Sequence, residues 1–508
     1  MRDTRIFRMQ SPTTAAPNLD PDDWEAFRAA SRRALDDMID FLRTVRERPV
    51  WQPAPPAVTR AFSAPLPTAP QDLEEVLADF SSLIRPYATG NLHPLFMGWV
   101  HGAGTPVGMV AEMLAAGLNA NCGGRNHIAL DVERQIAAWA AGLFGFPAQA
   151  SGVFVTGTSA ANHLALLVAR NASLGHDVRR NGLRDAGGQL VAYTSAEAHG
   201  CIKQAVEMAG IGSRFLRLIA VDARGAMRTD LLAETIAADR AHGLRPFLVA
   251  GTAGTVNTGA FDDLVALADI CVREKLWFHV DGAFGALVAL SPALAPLIRG
   301  IERADSIAFD FHKWAHVPYD AGFLLVRDPE QHRHTFSNPA AYLHRAPSGL
   351  AAGEVWPCDL GPDLSRGFRA LKTWFTFRVH GADKIGACIE HTCRVAKHLE
   401  RRLLEHANLY ELAAPVALNI VCFGLRTSPD GELNKAIAID LQERGVAAPS
   451  TTIIGGRSVI RAAIVNHRTT EADMDAFMIA LRDSALRVTL AQMRQGDEGE
   501  APQVAAAG

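Results

Sequence analysis

The chain has 508 residues, of which 48% are hydrophobic and 20% are charged, and its formal net charge is −4. This composition is typical of a globular protein with a large core, and the length allows two or three structural units. The small net charge gives no basis for binding to nucleic acid or to a membrane surface. We find no apolar run of transmembrane length and no signal-peptide pattern, so we expect a cytoplasmic protein.

The seven cysteines are scattered along the chain and include no Cys-x-x-Cys pair. Their number is odd, so they cannot all form disulfide bonds within one chain. We therefore expect reduced, mostly buried thiols, with neither a disulfide framework nor a metal site.

Residues 1–90 predict a helical unit with little core of its own. Asp20 and Pro21 supply a helix cap and a proline at the first helical position, and apolar residues then recur at helical spacing. A proline-rich stretch, 49–70, for which we predict no regular element, separates this helix from a second one at 71–84. Because so small a unit cannot cover its own apolar stripe, we expect it to pack against a second copy of the chain in a homodimer.

From residue 91 the pattern changes to strands that alternate with helices. This alternation is typical of an α/β domain with a mostly parallel sheet and helices on both faces. We assign residues 91–370 to this large domain. Residues 371–508 then form a smaller C-terminal α+β domain with a frayed tail.

Two predicted strands end on residues that carry charge. The strand 275–281 stops at Asp281, and the strand 306–311 leads directly to Lys313. Because ligands gather at the carboxyl ends of parallel strands, we expect a carboxylate and an amine at one edge of the sheet. Pyridoxal 5′-phosphate (PLP) needs this pair, since the amine bonds to its aldehyde and the carboxylate keeps its pyridine nitrogen protonated. The alternative is a helix cap at Asp281 and a surface ion pair at Lys313.

A run of small and hydroxyl residues, 151–162, precedes an apolar stretch that predicts a helix. Backbone N–H groups at the start of a helix are free to bind an anion, so this junction suits a phosphate group. Glycine-rich turns are common, and the junction by itself is a weak signal.

Several short motifs, taken together, are specific. With them the chain, from about Asp20 to Leu486, resembles the group II PLP-dependent decarboxylases, most closely the aromatic-L-amino-acid decarboxylase branch. The resemblance implies PLP fold type I, with a seven-stranded cofactor domain and an obligate homodimer. The motifs are His93-Pro94, Thr156-Gly-Thr-Ser159, Ala198-His199, His279-Val-Asp281, Asp310-Phe-His-Lys-Trp314 and Arg369-Ala-Leu-Lys-Thr-Trp374.

The resemblance also implies catalytic roles. Lys313 matches the lysine that bonds to the cofactor, Asp281 the partner of the pyridine nitrogen, and His199 the histidine stacked over the cofactor ring. Tyr342, in a long stretch without periodicity that we interpret as a lid, matches the tyrosine that protonates the substrate carbon after carbon dioxide leaves. A tyrosine at that position favours an amine product over an aldehyde. The further cofactor contacts implied are Thr158, Ser159, Thr255, Asp310 and His312.

The substrate pocket is the least certain part of the resemblance. We assign Phe96, Met97, Trp99 and His101 to it, although His101 stands where aromatic-specific relatives often have proline or a small residue. Ordinary core packing is the alternative for these residues. Arg125 could instead meet an acidic substrate from the partner subunit.

We therefore expect PLP-dependent decarboxylation of an L-amino acid, with an aromatic substrate first. The alternatives are an acidic or aliphatic substrate, such as aspartate, glutamate, cysteine sulfinate or diaminobutyrate, and an oxidative, aldehyde-forming decarboxylation. A catalytically silent homologue that serves as a binding module is the alternative from a different class. The intact Lys313, Asp281, His199 and Tyr342 argue against it.

Overall fold

A computed structural model describes residues 18–183, 188–338, 344–353 and 355–499. The described chain divides into two units, the smaller within Met1–Val45 and Ala54–Ala88 and the larger within Arg46–Pro53 and Thr89–Gly508. The predicted boundaries at residues 90 and 370 stay predictions. Within the described ranges, no helix is both long and apolar enough to cross a lipid bilayer.

The smaller unit is helical. Its helices are α1 (Trp24–Arg43), α2 (Pro56–Ala61) and α3 (Leu73–Asp79), and α3 continues into a π-helical turn at Phe80–Ile84. The predicted cap at Asp20 is wrong, because the Asp23 carboxylate accepts the N–H groups of Glu25 and Ala26 and starts α1 there. The short α2 also lies in the stretch where we predict no regular element.

The larger unit combines two sheets with helices. Its strands are β1 (Phe96–Met97), β2 (Ser151–Val155), β3 (Leu190–Ser195), β4 (Leu216–Ile219), β5 (Arg245–Thr252), β6 (Trp277–Asp281), β7 (Ser306–Asp310), β8 (Gly322–Val326), β9 (Tyr410–Leu412), β10 (Ile420–Leu425), β11 (Ala448–Ile454) and β12 (Arg457–Ala463). Its helices are α4 (Pro106–Leu118), α5 (Ile128–Leu143), α6 (Thr158–Leu174), α7 (Val178–Asn181), α8 (Cys201–Met208), α9 (Thr229–Ala241), α10 (Leu264–Glu274), α11 (Phe311–Trp314), α12 (Pro329–Phe336), α13 (Arg369–His380), α14 (Ala382–Glu405), α15 (Glu432–Glu443) and α16 (Glu471–Gly499).

Among the described residues, seven strands form the main sheet in the order β2-β8-β7-β6-β5-β3-β4. β8 pairs antiparallel with both of its neighbours, and the other pairings are parallel. The predicted mostly parallel, seven-stranded sheet is thus confirmed. Both faces are covered, because Leu190 and Ala192 of β3 pack in a cluster with residues of α6 and α8, whereas Val191 and Tyr193 pack in the opposite one.

The second sheet has the order β1-β11-β12-β10-β9 in the described chain. β1 is parallel to β11, which attaches residues Phe96 and Met97 to the C-terminal part of the chain. A core of apolar residues from β10, β12, α14, α15 and α16 lies on this sheet. The segment that leads to the predicted substrate pocket is therefore held by elements more than 300 residues further along the chain.

Candidate active site

The carboxyl ends of β6 and β7 bring the predicted catalytic groups together. The two strands pair in parallel, with Asp281 opposite Ala308, and α11 places Lys313 one turn beyond the end of β7. Lys313 Nζ lies 2.9 Å from Asp310 Oδ2, and its side chain is 22% exposed while that of Asp310 is 2% exposed. The lysine is therefore partly exposed and forms a direct ion pair with the buried Asp310. The sequence did not indicate this pairing.

Asp281 is buried, with 3% of its surface exposed. Its Oδ2 accepts a hydrogen bond from Asn162 Nδ2 at 3.0 Å, and its Oδ1 accepts one from the Ala283 N–H at 3.1 Å. Burial raises the pKa of the Asp281 carboxyl, and the positive charge of Lys313 opposes that rise. A buried carboxylate of this kind is stabilised by a cationic N–H partner, which a protonated pyridine nitrogen supplies.

The start of α6 lies beside Asp310. The Thr158 N–H donates to Asp310 Oδ1 at 2.8 Å, while the Thr158 hydroxyl is buried and has no hydrogen-bond partner among the described residues. Ser159 is exposed at the same helix end. An unpaired buried hydroxyl at a helix N-terminus fits a phosphate oxygen.

His312 is buried behind the lysine. Its Nδ1 accepts a hydrogen bond from the Ala321 N–H at 3.0 Å, so the neutral ring carries its proton on Nε2, 3.7 Å from Asp310 Oδ2. Burial lowers the pKa of the His312 imidazole, against the effect of the Asp310 carboxylate. His312 thus completes a group of side chains around Asp310.

His199 and Thr255 lie in the loops after β3 and β5. His199 is exposed, and its Nδ1 accepts a hydrogen bond from the Cys201 N–H at 3.2 Å. Thr255 is fully buried, and its hydroxyl accepts the Ala260 N–H at 3.0 Å within its own turn. The Thr255 hydroxyl is therefore already engaged in the loop, and the predicted cofactor contact of Thr255 stays a prediction.

An aromatic wall, which we define as Phe96, Trp99, His101 and Tyr319, stands next to this edge. The His101 ring stacks on Phe96 with centroids 5.8 Å apart and on Trp99 at 6.0 Å, and it meets the edge of Tyr319 at 6.0 Å. Burial and the charge of Lys313 both lower the pKa of His101. The wall and the lysine are consequently within electrostatic range of each other.

Gly102, which follows His101 in the chain, packs against the turn that carries Lys313. A Cβ at Gly102 would lie 2.1 Å from the carbonyl oxygen of His312 and 2.5 Å from that of Lys313. The backbone of residue 102 therefore runs directly against the lysine turn, which no larger residue allows.

Met97 does not join the wall. It is fully buried and packs in the apolar core of the second sheet, because neighbouring residues of a strand point to opposite faces. This burial favours the alternative of ordinary core packing, and the assignment of Met97 to the substrate pocket stays a prediction. Tyr342 lies outside the described residues.

Sequence reasoning missed three side chains near the site. Asn162 contacts Asp281, Cys201 lies 3.9 Å from the same carboxylate, and the Tyr319 ring lies 4.3 Å from that of His312. Asn162 stands four residues after Thr158 on an otherwise apolar helix face, which is a usable signal for a buried polar role. The other two carry no comparable pattern.

Taken together, these groups fit PLP: an amine on Lys313, a buried carboxylate at Asp281 and an unsatisfied hydroxyl at the start of α6. The model of the family described as the pyridoxal-dependent decarboxylase conserved domain matches residues 55–426. The match covers well over half of the chain.

Relatives are similar along nearly the whole chain. An aromatic-L-amino-acid decarboxylase of Bacillus atrophaeus is 32% identical over 480 residues, which cover 92% of this chain and 97% of that protein. A histidine decarboxylase of Drosophila melanogaster is 31% identical over 92% of this chain and 56% of its own length. The Oryza sativa TDC structure with PLP and tryptamine has a TM-score of 0.84 at 25% identity and covers 92% of this chain and 99% of its own.

The mouse CSAD structure has the same TM-score, 0.84, at 24% identity over 91% of this chain and 99% of its own, and supports the fold alone. These likenesses confirm the resemblance, fold type I, PLP as the cofactor and an amino acid as the substrate. The chain belongs to the pyridoxal-dependent decarboxylase family and is a PLP-dependent amino-acid decarboxylase.

Proposed function

We propose that this enzyme decarboxylates an L-amino acid with an aromatic side chain and releases the corresponding amine. The observation that carries the proposal is the aromatic wall beside Lys313, where three rings surround the imidazole of His101. Planar faces and edges of this kind favour a planar substrate side chain through stacking. The similarity to an enzyme named for aromatic amino acids supports the same substrate class.

The roles proposed for the polar residues follow from their contacts. Lys313 would hold PLP through Nζ, Asp281 would accept a hydrogen bond from its pyridine nitrogen, and Thr158 and Ser159 would bind its phosphate. When bound, PLP supplies an electron sink for the bond between the substrate Cα and its carboxylate.

Asp310 prepares Lys313 for this task. Asp310 Oδ2 lies 2.9 Å from Lys313 Nζ, so this ion pair fixes the position of the lysine nitrogen. The same carboxylate holds the Thr158 N–H, so the lysine and the start of α6 are oriented by one side chain. His199, proposed to stack over PLP, lies on the exposed side of the site.

A substrate panel tests the proposal directly. PLP-loaded enzyme is incubated with each common amino acid, dopa and cysteine sulfinate, and carbon dioxide, amine, aldehyde and peroxide are measured together. We expect amine from an aromatic amino acid. Amine from acidic substrates alone would overturn the proposed substrate, and no turnover with any of them would contradict the aromatic class.

A pair of tryptophan variants tests the wall itself. Trp99→Ala removes a 53% exposed ring that stacks on His101 and should lower kcat/KM for the aromatic substrate about three- to tenfold. Trp139→Ala, on α5, removes another partly exposed tryptophan outside the wall and serves as the matched control. Equal kcat/KM values for the two variants would show that the wall does not contact the substrate.

The product is a separate proposal, which rests on Tyr342. A phenol delivered to the substrate carbon would supply the proton that completes the amine. Tyr342→Phe should therefore lower amine output and raise aldehyde and peroxide in the same assay. An unchanged product ratio would refute this role.

An acidic substrate finds less support in the contacts. The Arg125 guanidinium lies over the Trp356 ring at 4.9 Å from its centroid, so this side chain is engaged within its own chain.

We also propose a homodimer. Of the twenty described residues of α1, Ala30 alone is buried, and Trp24, Phe27 and Ile39 are exposed. Exposed apolar side chains in such a helix mark a protein interface. Sedimentation should show a dimer, and a stable, active monomer would refute it.

A further inference from the structure

A buried chain of hydrogen bonds runs from an indole to the carboxylate of Asp281. Trp277 Nε1 donates to Ser306 Oγ at 2.9 Å, and Ser306 Oγ lies 2.8 Å from His279 Nδ1. His279 Nε2 lies 2.8 Å from Asn162 Oδ1, and Asn162 Nδ2 donates to Asp281 Oδ2 at 3.0 Å. The chain thus links β6, β7 and α6 behind the proposed binding position of the pyridine nitrogen.

The direction of these bonds follows from the chemistry of the Asp281 end. An ionised carboxylate only accepts hydrogen bonds, so Asn162 must turn its NH₂ group toward Asp281. Its carbonyl oxygen then faces His279 and accepts a hydrogen bond from the Nε2–H. The neutral ring is therefore left with a lone pair on Nδ1.

The Trp277 end is consistent with the same tautomer. An indole N–H only donates, so Ser306 Oγ accepts a hydrogen bond from Trp277 Nε1. The Ser306 hydroxyl then donates its own hydrogen bond to His279 Nδ1. One protonation state of His279 then satisfies each member of the chain. The other tautomer, with its proton on Nδ1, would place the lone pairs of His279 Nε2 and Asn162 Oδ1 against each other.

The surroundings keep His279 neutral. The residue is 2% exposed, and burial lowers its pKa to about 4. At neutral pH the ring therefore does not pick up the second proton that would reverse the bond to Ser306.

Cys201 takes up the remaining capacity of Asn162. The amide donates to Cys201 Sγ at 3.2 Å as well as to Asp281, and burial raises the pKa of the thiol to about 12. The thiol thus keeps its proton and can donate weakly to Asp281 Oδ2 at 3.9 Å. Because both contacts use the NH₂ group of Asn162, they hold the amide in this one orientation.

We propose that Asn162 and His279 are positioning residues that fix the Asp281 carboxylate in orientation and keep it ionised for the pyridine nitrogen of PLP. They act through Asp281 and touch neither substrate nor cofactor. The proposal rests on the PLP dependence of the enzyme and is independent of the aromatic substrate proposed above. Its failure and the failure of that substrate assignment are therefore separate results.

Two leucine variants of α6 test the proposal. Asn162→Leu removes the amide at similar volume. Asn171→Leu does the same to another asparagine of α6 that is equally buried, at 1% exposed, and whose side chain bonds only to Arg170 among the described residues. The loaded enzyme is titrated with acid and base while the visible absorbance of bound PLP is recorded. The dissociation constant for PLP and the thermal unfolding midpoint are measured alongside.

We expect Asn162→Leu to weaken PLP binding about tenfold, the size expected for a lost hydrogen bond to a charged group, and to shift the absorbance titration. Asn171→Leu should lose similar thermal stability and keep the wild-type PLP affinity and titration. The proposal is overturned if Asn162→Leu keeps both wild-type values, or if both variants change them equally.

Serine variants decide the matter if Asn162→Leu does not fold. Ser306→Ala removes one hydroxyl that is three hydrogen bonds away from Asp281, and Ser291→Ala removes an equally buried hydroxyl that bonds to Glu390. Ser306→Ala should shift the absorbance titration in the direction expected for Asn162→Leu. It should weaken PLP binding by less than tenfold. Identical titrations for the two serine variants would overturn the proposal that this hydrogen-bonded relay, from Trp277 through Ser306, His279 and Asn162, acts on Asp281.

Discussion

The candidate active site contains two regions that are stabilised by different interactions. The first is a polar edge, which we define as Asn162, His279, Asp281, Asp310 and Lys313, and the second is the aromatic wall. Four of the five polar-edge residues are almost fully buried and hydrogen-bonded to one another or to neighbouring backbone. The wall relies on ring stacking, and its Trp99 is 53% exposed.

We infer from this difference that the polar edge serves catalysis and the aromatic wall serves substrate selection. An unpaired buried polar group costs much more than a lost surface contact, so the polar edge has one permitted arrangement. Individual ring contacts are worth less and can be rearranged. We infer that changes in the wall alter which substrate is used, whereas changes in the polar edge alter whether the reaction occurs.

The largest expected effect comes from the polar edge. Lys313→Ala removes the amine proposed to hold PLP and should reduce steady-state turnover on the order of a thousandfold or more. Amine production with the proposed aromatic substrate is the measurement. Lys203→Ala, which removes an exposed lysine of α8, is the control. Substantial steady-state activity in Lys313→Ala would contradict the assigned role.

A second substitution tests how tightly the two regions are joined. In Gly102→Ala the new methyl group meets the backbone carbonyls of His312 and Lys313, which cannot move aside as a flexible side chain can. We expect a loss of about 1–3 kcal/mol in the free energy of unfolding, together with a higher KM. Gly117→Ala, in α4, has open space around the new methyl group. It should neither lower the free energy of unfolding nor raise KM. Equal thermal midpoints for the two variants would separate the wall from the lysine turn.

The third prediction concerns pH. The folded-state pKa of His279 is about 4 and its ordinary value is 6.5, so below pH 6.5 the unfolded chain binds a proton that the folded chain does not. This contribution to stability is therefore present at neutral pH and is lost as the pH falls from 6.5 toward 4, by about 1.4 kcal/mol per pH unit at most. His279→Gln removes it.

Denaturant unfolding at pH 7, 6 and 5 measures this contribution. The difference in free energy of unfolding between the wild type and His279→Gln should shrink as the pH falls. A difference that stays constant over this range would mean that His279 is not held neutral by burial.

Much of the polar edge could be predicted from strand patterns. Two apolar strands that end on Asp281 and near Lys313 indicate one shared edge, because parallel strands place their carboxyl ends together. The partners of these residues could not be predicted in the same way. Asn162 and Asp281 are 119 positions apart, and only the packing of α6 against β6 brings them into contact.

The wall shows the opposite balance. The sequence identified the aromatic residues but could not predict on which side of the strand each side chain lies. Phe96 stacks on His101, whereas the adjacent Met97 packs in the core of the second sheet. Tyr319 joined them without any sequence signal, because its position depends on the turn after α11. A similar local choice moved the start of α1 from Asp20 to Asp23, where two backbone N–H groups are accepted.

The sequence by itself determined the fold class, the cofactor and the residues at the strand ends, because hydrophobic periodicity, strand-to-loop transitions and the short motifs shared with the family are local properties of the chain. Tertiary structure decided the ion pair of Lys313 with Asp310, the hydrogen-bonded relay behind Asp281 and the composition of the aromatic wall. These features depend on distances between segments far apart in the chain. Such distances are set by how helices and sheets pack, which no local pattern specifies.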